Sequence, residues 1–283
     1  MRNQFKIFGL TVLAGGLLLL GLLPGAPGVA SAGQPAQEVT ESSASAEAFV
    51  PAGAFMMGCA NDLFPDGCDR DTHPVHGVYL DAFYIDRTEV TNAQYRACVT
   101  AGACLPPFSN ASQTRSTYYN SSTYNDYPVI QVDWNRANAY CHWVGKRLPT
   151  EAEWEKAARG TDKRAFPWGN EITDNNANYY ESHDPFEKIA GAIGDTTPVG
   201  FYNGKVYDSY QTVDSPSAYG LYDMAGNVWQ WTANIYEGVH YRYLRGGSKA
   251  DLAYVLRLWT TNSARPDYYS PNVGFRCVRG IKK

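Results

Sequence analysis

The chain has 283 residues, with 24 Lys and Arg against 28 Asp and Glu and a formal charge of −4. At 44% hydrophobic and 18% charged it holds enough apolar material for a core, which excludes wholesale disorder. The acidic balance excludes the basic footprint of a nucleic-acid binder. With 26 Gly, 16 Pro and 21 Tyr the chain reads as loop-rich, with flat amphipathic rings available for core and surface alike.

Residues 1–32 read as a secretory signal peptide. Arg2 and Lys6 give a positive start, Ile7 to Leu23 an apolar run, and Ala30-Ser31-Ala32 an A-x-A cleavage site. Cleavage leaves no expected membrane span, and the mature chain is expected to be secreted or to lie in the periplasm or cell envelope. Residues 33–48 (GQPAQEVTESSASAEA) read as a flexible linker. From 49 to 283 no further low-complexity break occurs, so one folded domain is expected.

Capping signals announce three helices. Thr91-Asn-Ala-Gln94 is a capping box ahead of Tyr95, Cys98 and Val99, with Gly102 as a stop. Asp133 caps WNRANAYCHWV, closed by Gly145. Thr150-Glu-Ala-Glu153 is a second capping box, its helix running to about Arg159 before Gly160. Short strands are expected at 78–85, 227–232, 241–245 and 273–278. In NVWQWT the alternation sets Val228, Gln230 and Thr232 on one face and Trp229 and Trp231 on the other, so the tryptophans read either as core or as part of a binding face. Segments 105–128 and 170–220 lack periodicity, and such length of irregular chain needs cross-links, ions or function to order it.

Six cysteines in an exported chain read as disulfides. Short spacing favours Cys59 with Cys68 and Cys98 with Cys104, which leaves Cys141 and Cys277 as a long-range staple. There is no CxxC, HExxH, GxSxG, P-loop or GxGxxG. His73 and His76 are the one close histidine pair, and they read as surface or packing residues.

Taken in order, PAGAFMMG at 51–58, VYLDAFYIDRTEVTNAQY at 78–95, YPVIQVDWNRANAYCHWVGKRLPTEAEWEKAARG at 127–160, FPWGNE at 166–171, TTPVGFY at 196–202, YGLYDMAGNVWQWT at 219–232, YLRGGS at 243–248 and PNVGFRC at 271–277 resemble the formylglycine-generating enzyme family, the sulfatase-modifying factor domain. The resemblance spans nearly all of 49–283. It implies an α+β, C-type-lectin-related fold, loop-rich, with short strands and about three helices. It also implies a structural disulfide between Cys141 and Cys277.

Family enzymes oxidise a substrate cysteine with oxygen and a copper ion held by two cysteines between the GGS and PD motifs. Here that stretch, KADLAYVLRLWTTNSAR at 249–265, has no cysteine, and carboxylate or phenol cannot replace thiolate toward soft Cu(I). Copper and formylglycine generation are therefore not expected. The added helical domain and His-rich iron motif of the sulfoxide-synthase branch are missing as well. Diversity-generating retroelement proteins of the family keep a frame that matches Arg245, Gly246, Gly247, Leu256, Arg257, Pro266, Asp267, Asn272, Gly274, Phe275 and Arg276. Between these lie Lys249, Asp251, Tyr254, Trp259, Tyr268 and Tyr269, the residues expected to bind a protein or small-molecule ligand at 249–271. The alternative expectation is an oxidoreductase, like the exported siderophore-maturing members, acting on a sulfatase cysteine, a sulfur compound or a siderophore.

The resemblance further implies structural Ca²⁺. One set would be the Asn178 side chain, the Tyr179 carbonyl, the Asp184 side chain and the Phe186 carbonyl. The second would be the Asp223 side chain, the carbonyls of Gly226 and Val228, and the Gln230 side chain, where Gln stands in place of the usual Glu. The opposing expectation is that these loops close through hydrogen bonds alone.

Overall fold

The computed structural model describes residues 47–59, 68, 74–187, 193–236, 238 and 240–281. The expected signal peptide, most of the linker and His73 lie outside the described residues. Strand β1 (Glu47–Val50) begins two residues ahead of the expected domain start, so Glu47 and Ala48 belong to the fold. It is followed by β2 (Gly53–Met57), β3 (His76–Leu80) and β4 (Phe83–Asp86). The expected single strand at 78–85 is thus two. The chain breaks at Asp81-Ala82 and the halves join different sheets, β3 pairing with β2, and β4 with β1 and a later strand.

The three helices form where their caps place them. In α1 (Asn92–Thr100) the Gln94 amide donates to Thr91 Oγ1 at 3.3 Å and the Thr91 amide donates to Gln94 Oε1 at 2.9 Å. In α2 (Trp134–Trp143) Asp133 accepts the Arg136 amide at 2.8 Å. In α3 (Glu151–Arg159) the Thr150–Glu153 box repeats the pattern, and Gly160 ends it. Each box satisfies backbone donors that the first turn leaves without a helical partner.

A two-residue pair, β5 (Val206–Tyr207) and β6 (Tyr210–Gln211), interrupts the otherwise irregular 170–220 stretch. Then come β7 (Trp229–Ile235), β8 (Arg242–Arg245), β9 (Thr261–Ala264), β10 (Val273–Gly274) and β11 (Val278–Gly280). The larger sheet has the order β10-β7-β8-β9, parallel between β10 and β7 and antiparallel elsewhere; β1-β4-β11 is the second. The expected strand at 273–278 is therefore also divided, its two ends serving the two sheets. Between them Phe275, Arg276 and Cys277 are buried.

Over its first four residues both faces of β7 are buried, so Trp229 and Trp231 are core residues. Trp231 Nε1 donates to the Val132 carbonyl at 3.1 Å, satisfying the one polar atom the ring carries inside. The disulfides are Cys59–Cys68, Cys98–Cys104 and Cys141–Cys277, the last joining α2 to the chain just before β11. The 105–128 stretch is ordered by a cation. The Arg115 guanidinium lies 4.8 Å from the Tyr124 ring and 5.0 Å from Tyr127, with Tyr118 and Phe186 at 5.7 Å. It also donates to Thr196 and pairs with Asp195 at 3.4 Å. Aromatic faces and a carboxylate together fix a loop that has no periodicity of its own.

Candidate functional site

The segment after β8 is locked before it reaches the surface. Arg245 is buried, with Nη1 3.2 Å from Glu151 Oε1, and Nη2 2.5 Å from Glu155 Oε2 and 2.6 Å from the Leu258 carbonyl. Gly247 has φ +70°, and a Cβ there would come within 2.8 Å of Leu256 Cδ1, so the glycine is required by both backbone and packing. The Ser248 amide and hydroxyl donate to Asp251 Oδ2 at 3.0 and 2.6 Å.

These contacts redistribute the six residues expected to bind ligand. Asp251 closes a turn. Lys249 is fully buried and its Nζ donates to the Pro271 carbonyl and to Asn272 Oδ1, both at 2.6 Å. Burial pushes its ammonium down to about 8. Trp259 is 2% exposed in a core cluster with Cys59, Phe166 and Leu256. Lys249 and Trp259 thus anchor the segment from below and offer no exposed surface. Tyr254 is exposed but lines a separate hollow with Phe166 and Arg257. Only Tyr268 and Tyr269 come together.

They line a groove of about 570 Å³ along β9, the outermost strand of its sheet, with Tyr241, Asn262, Arg265 and Asp267. Tyr268 and Tyr269 are each 46% exposed. The Tyr269 ring stacks on Phe108 with centroids 4.1 Å apart and planes 13° off parallel. Arg136 covers the Phe108 ring at 3.6 Å and donates to the Pro106 carbonyl at 3.0 Å. Arg136 is itself held by Asp133, the α2 cap, at 3.2 Å. The Pro266 carbonyl accepts the Trp134 amide at 3.1 Å, tying the groove to the same helix end. Leu105 to Phe108 and Arg136 carry no motif of their own. The sequence signal that bears on them is the Cys98–Cys104 spacing just before Leu-Pro-Pro-Phe, which pins the loop's start.

Every cysteine of the chain is in a disulfide. Among the described residues no group of three His, Cys, Asp or Glu is placed to hold a metal ion. His76 and His142 each bond a nearby backbone carbonyl through Nδ1.

Several of the oxygens expected to hold calcium have protein partners. Asp184 accepts from the Ser182 and Tyr202 hydroxyls at 2.9 and 3.0 Å and from the Phe186 and Glu187 amides at 2.7 and 3.1 Å. Asn178 Nδ2 donates to the Asp195 carbonyl, while the Tyr179 and Phe186 carbonyls accept the Ser182 and Asp195 amides. In the second set Asp223 Oδ2 accepts the Gly200 amide at 2.6 Å. Gln230 Oε1 accepts from Trp154 Nε1 and Arg276 Nε, and its Nε2 donates to the Asp223 carbonyl. The two loops also touch: Gly226 has φ +83°, and a Cβ there would lie 2.3 Å from the Asn178 carbonyl. These hydrogen bonds are the alternative to a calcium cradle, which needs six or more converging oxygens.

The sulfatase-modifying factor enzyme 1-like domain matches residues 32–281. The formylglycine-generating enzyme of Streptomyces coelicolor is 31% identical over 314 residues, covering 89% of this chain and 95% of that protein. The inactive C-alpha-formylglycine-generating enzyme 2 of Bos taurus is 41% identical over 163 residues, 55% of this chain and 51% of that protein. This chain thus spans about half the length of that relative. Among solved structures, PvdO from Pseudomonas aeruginosa superposes with a TM-score of 0.65 at 26% identity, covering 82% of this chain and 93% of that one.

Proposed function

The chain belongs to the sulfatase-modifying factor enzyme 1-like family, and from that premise we propose that it is an exported, non-catalytic member that binds a ligand or protein partner in the Tyr268–Tyr269 groove. One observation carries this reading. The stretch that would supply copper-binding thiols has none, the cysteines the chain does have are cross-linked, and the residues just after that stretch carry a pair of half-exposed rings. Loss of the metal-binding pair removes the redox chemistry but leaves the frame that presents the segment. A relative that keeps much of the sequence also carries the name of an inactive enzyme.

Three disulfides in one chain accord with an oxidising compartment, as the expected signal peptide does. Among the described residues no helix is long and apolar enough to cross a membrane. The test is oxygen uptake by the purified protein with a cysteine-containing peptide and stoichiometric Cu(I). No uptake above the peptide and copper alone is expected. Protein-dependent uptake would return the chain to the oxidoreductases.

A further inference from the structure

Resting on that binding reading, we propose that the groove takes a neutral oligosaccharide, one sugar stacked on Tyr269 and the next on Tyr268. The Tyr269 ring is pre-organised. Arg136 lies over Phe108 at 3.6 Å and Phe108 lies parallel to Tyr269 at 4.1 Å, so a three-layer stack holds the ring while nearly half of the residue stays in solvent. A ring fixed before binding loses little rotamer freedom on binding. Its electron-rich face suits the positively polarised C–H face of a pyranose.

The rest of the groove selects for hydroxyls and against charge. Arg265 and Asp267 neutralise each other at 3.1 and 2.8 Å, both well exposed, and leave planar donor and acceptor edges on the rim. A polyanion would need unpaired cations here, and a lipid chain would need a deep apolar slot. An extended peptide would most simply add to the free edge of β9. There the Ser263 amide already donates to Asn262 Oδ1 at 2.8 Å, which removes a ladder donor from an incoming strand. Ring faces flanked by neutral, planar polar groups remain as the recognition chemistry, and sugars match it.

Isothermal titration with chitotetraose, cellotetraose and maltotetraose tests the assignment on the full mature chain. At least one should bind the wild type and the Tyr79→Ala variant, whose ring is exposed elsewhere on β3. Tyr269→Ala and Tyr268→Ala should each weaken that sugar at least about tenfold, with the melting temperature unchanged. Failure of all three sugars to bind, or binding indifferent to both groove variants, overturns the proposal. Such a protein that also shows no thiol-dependent oxygen uptake loses the sugar assignment alone; one that does consume oxygen loses the binding reading with it.

Discussion

Gln230 Oε1 accepts the Arg276 Nε–H at 2.7 Å, and the same guanidinium donates to the Asp86, Tyr222 and Asp223 carbonyls. A neutral amide here accepts from a buried cation that also faces the carboxyl groups of Glu89 and Asp223. Burial, and then the neighbouring Asp223, push Glu89 well above the usual carboxylate range, and the Arg276 guanidinium supplies the positive charge that both carboxyl groups face. Two outcomes follow. The melting temperature of the wild type should coincide in excess EDTA and in millimolar Ca²⁺. Gln230→Leu should cost about 3 kcal/mol in urea unfolding, because it strands the Trp154 and Arg276 donors inside the protein. A chelator-induced drop in melting temperature would show that calcium holds these loops after all.

Lys249 gives the domain a particular alkaline signature. Its folded-state pKa, pushed down by burial to about 8, lies below the value of about 10.4 expected in the unfolded chain. Between those two values the unfolded chain binds more protons, so stability rises with pH; below about 8 the group contributes a constant cost. The gain should be about 2–3 kcal/mol between pH 8 and pH 10. Above pH 10 the phenols oppose it, since Tyr119 and Tyr210 are pushed up to about 12 by partial burial. Urea unfolding across this range should show the rising limb in the wild type and a flat profile in Lys249→Met. A flat wild-type profile would mean that the buried amine is already neutral at pH 8.

Much of this fold is legible in the sequence because its helices depend on local chemistry. A Thr with Gln or Glu three residues on, and an Asp before an aromatic, each satisfy backbone donors within one turn, and all three helices begin where those signals stand. The strands were legible only as apolar runs. Nothing local in VYLDAFYI says that its halves serve different sheets, because that division depends on what β2, β1 and β11 supply from far along the chain. The site divides in the same way. Tyr268 and Tyr269 were visible as aromatic residues in a segment without cysteine. Lys249 and Trp259 lie inward instead, because composition between frame residues does not show which side chains point into the core. Phe108 and Arg136 reach the groove only through tertiary contact.

Arg115 should be the most sensitive position in the irregular 105–128 stretch. Arg115→Ala removes a cation from four ring faces and leaves Asp195, which is 1% exposed, without its charge partner. The cost should be about 3 kcal/mol, with amide exchange rising across 109–127 and not in α3. The acid limb should change too. Burial raises Asp195, but Arg115 and the Ser112 and Thr114 hydroxyls outweigh it and hold the carboxyl below its usual range. The stability this provides is present above about pH 4 and is lost as pH falls through the folded-state value. The variant should therefore lose less on acidification below pH 4 than the wild type. An unchanged acid limb would show that the hydroxyls alone hold the carboxylate.

Two of the disulfides should separate stability from site geometry. Cys141–Cys277 closes a separation of 136 residues and Cys98–Cys104 one of 6. On chain-entropy grounds the first is worth about 5 kcal/mol and the second about 2 kcal/mol. The short bridge stands at the root of the loop that carries Phe108, where the Leu105 carbonyl accepts Tyr95 Oη–H at 2.9 Å. Replacing Cys98 and Cys104 by alanine should lower stability modestly yet disorder the stack beneath Tyr269, seen as faster amide exchange at 105–108 and weaker ligand binding. Replacing Cys141 and Cys277 should lower stability by more than twice as much while leaving binding intact in the fraction that stays folded. The opposite ranking, with the short bridge dominating stability and the long one dominating binding, would mean that the groove depends on the core packing around α2 and not on the 105–108 loop.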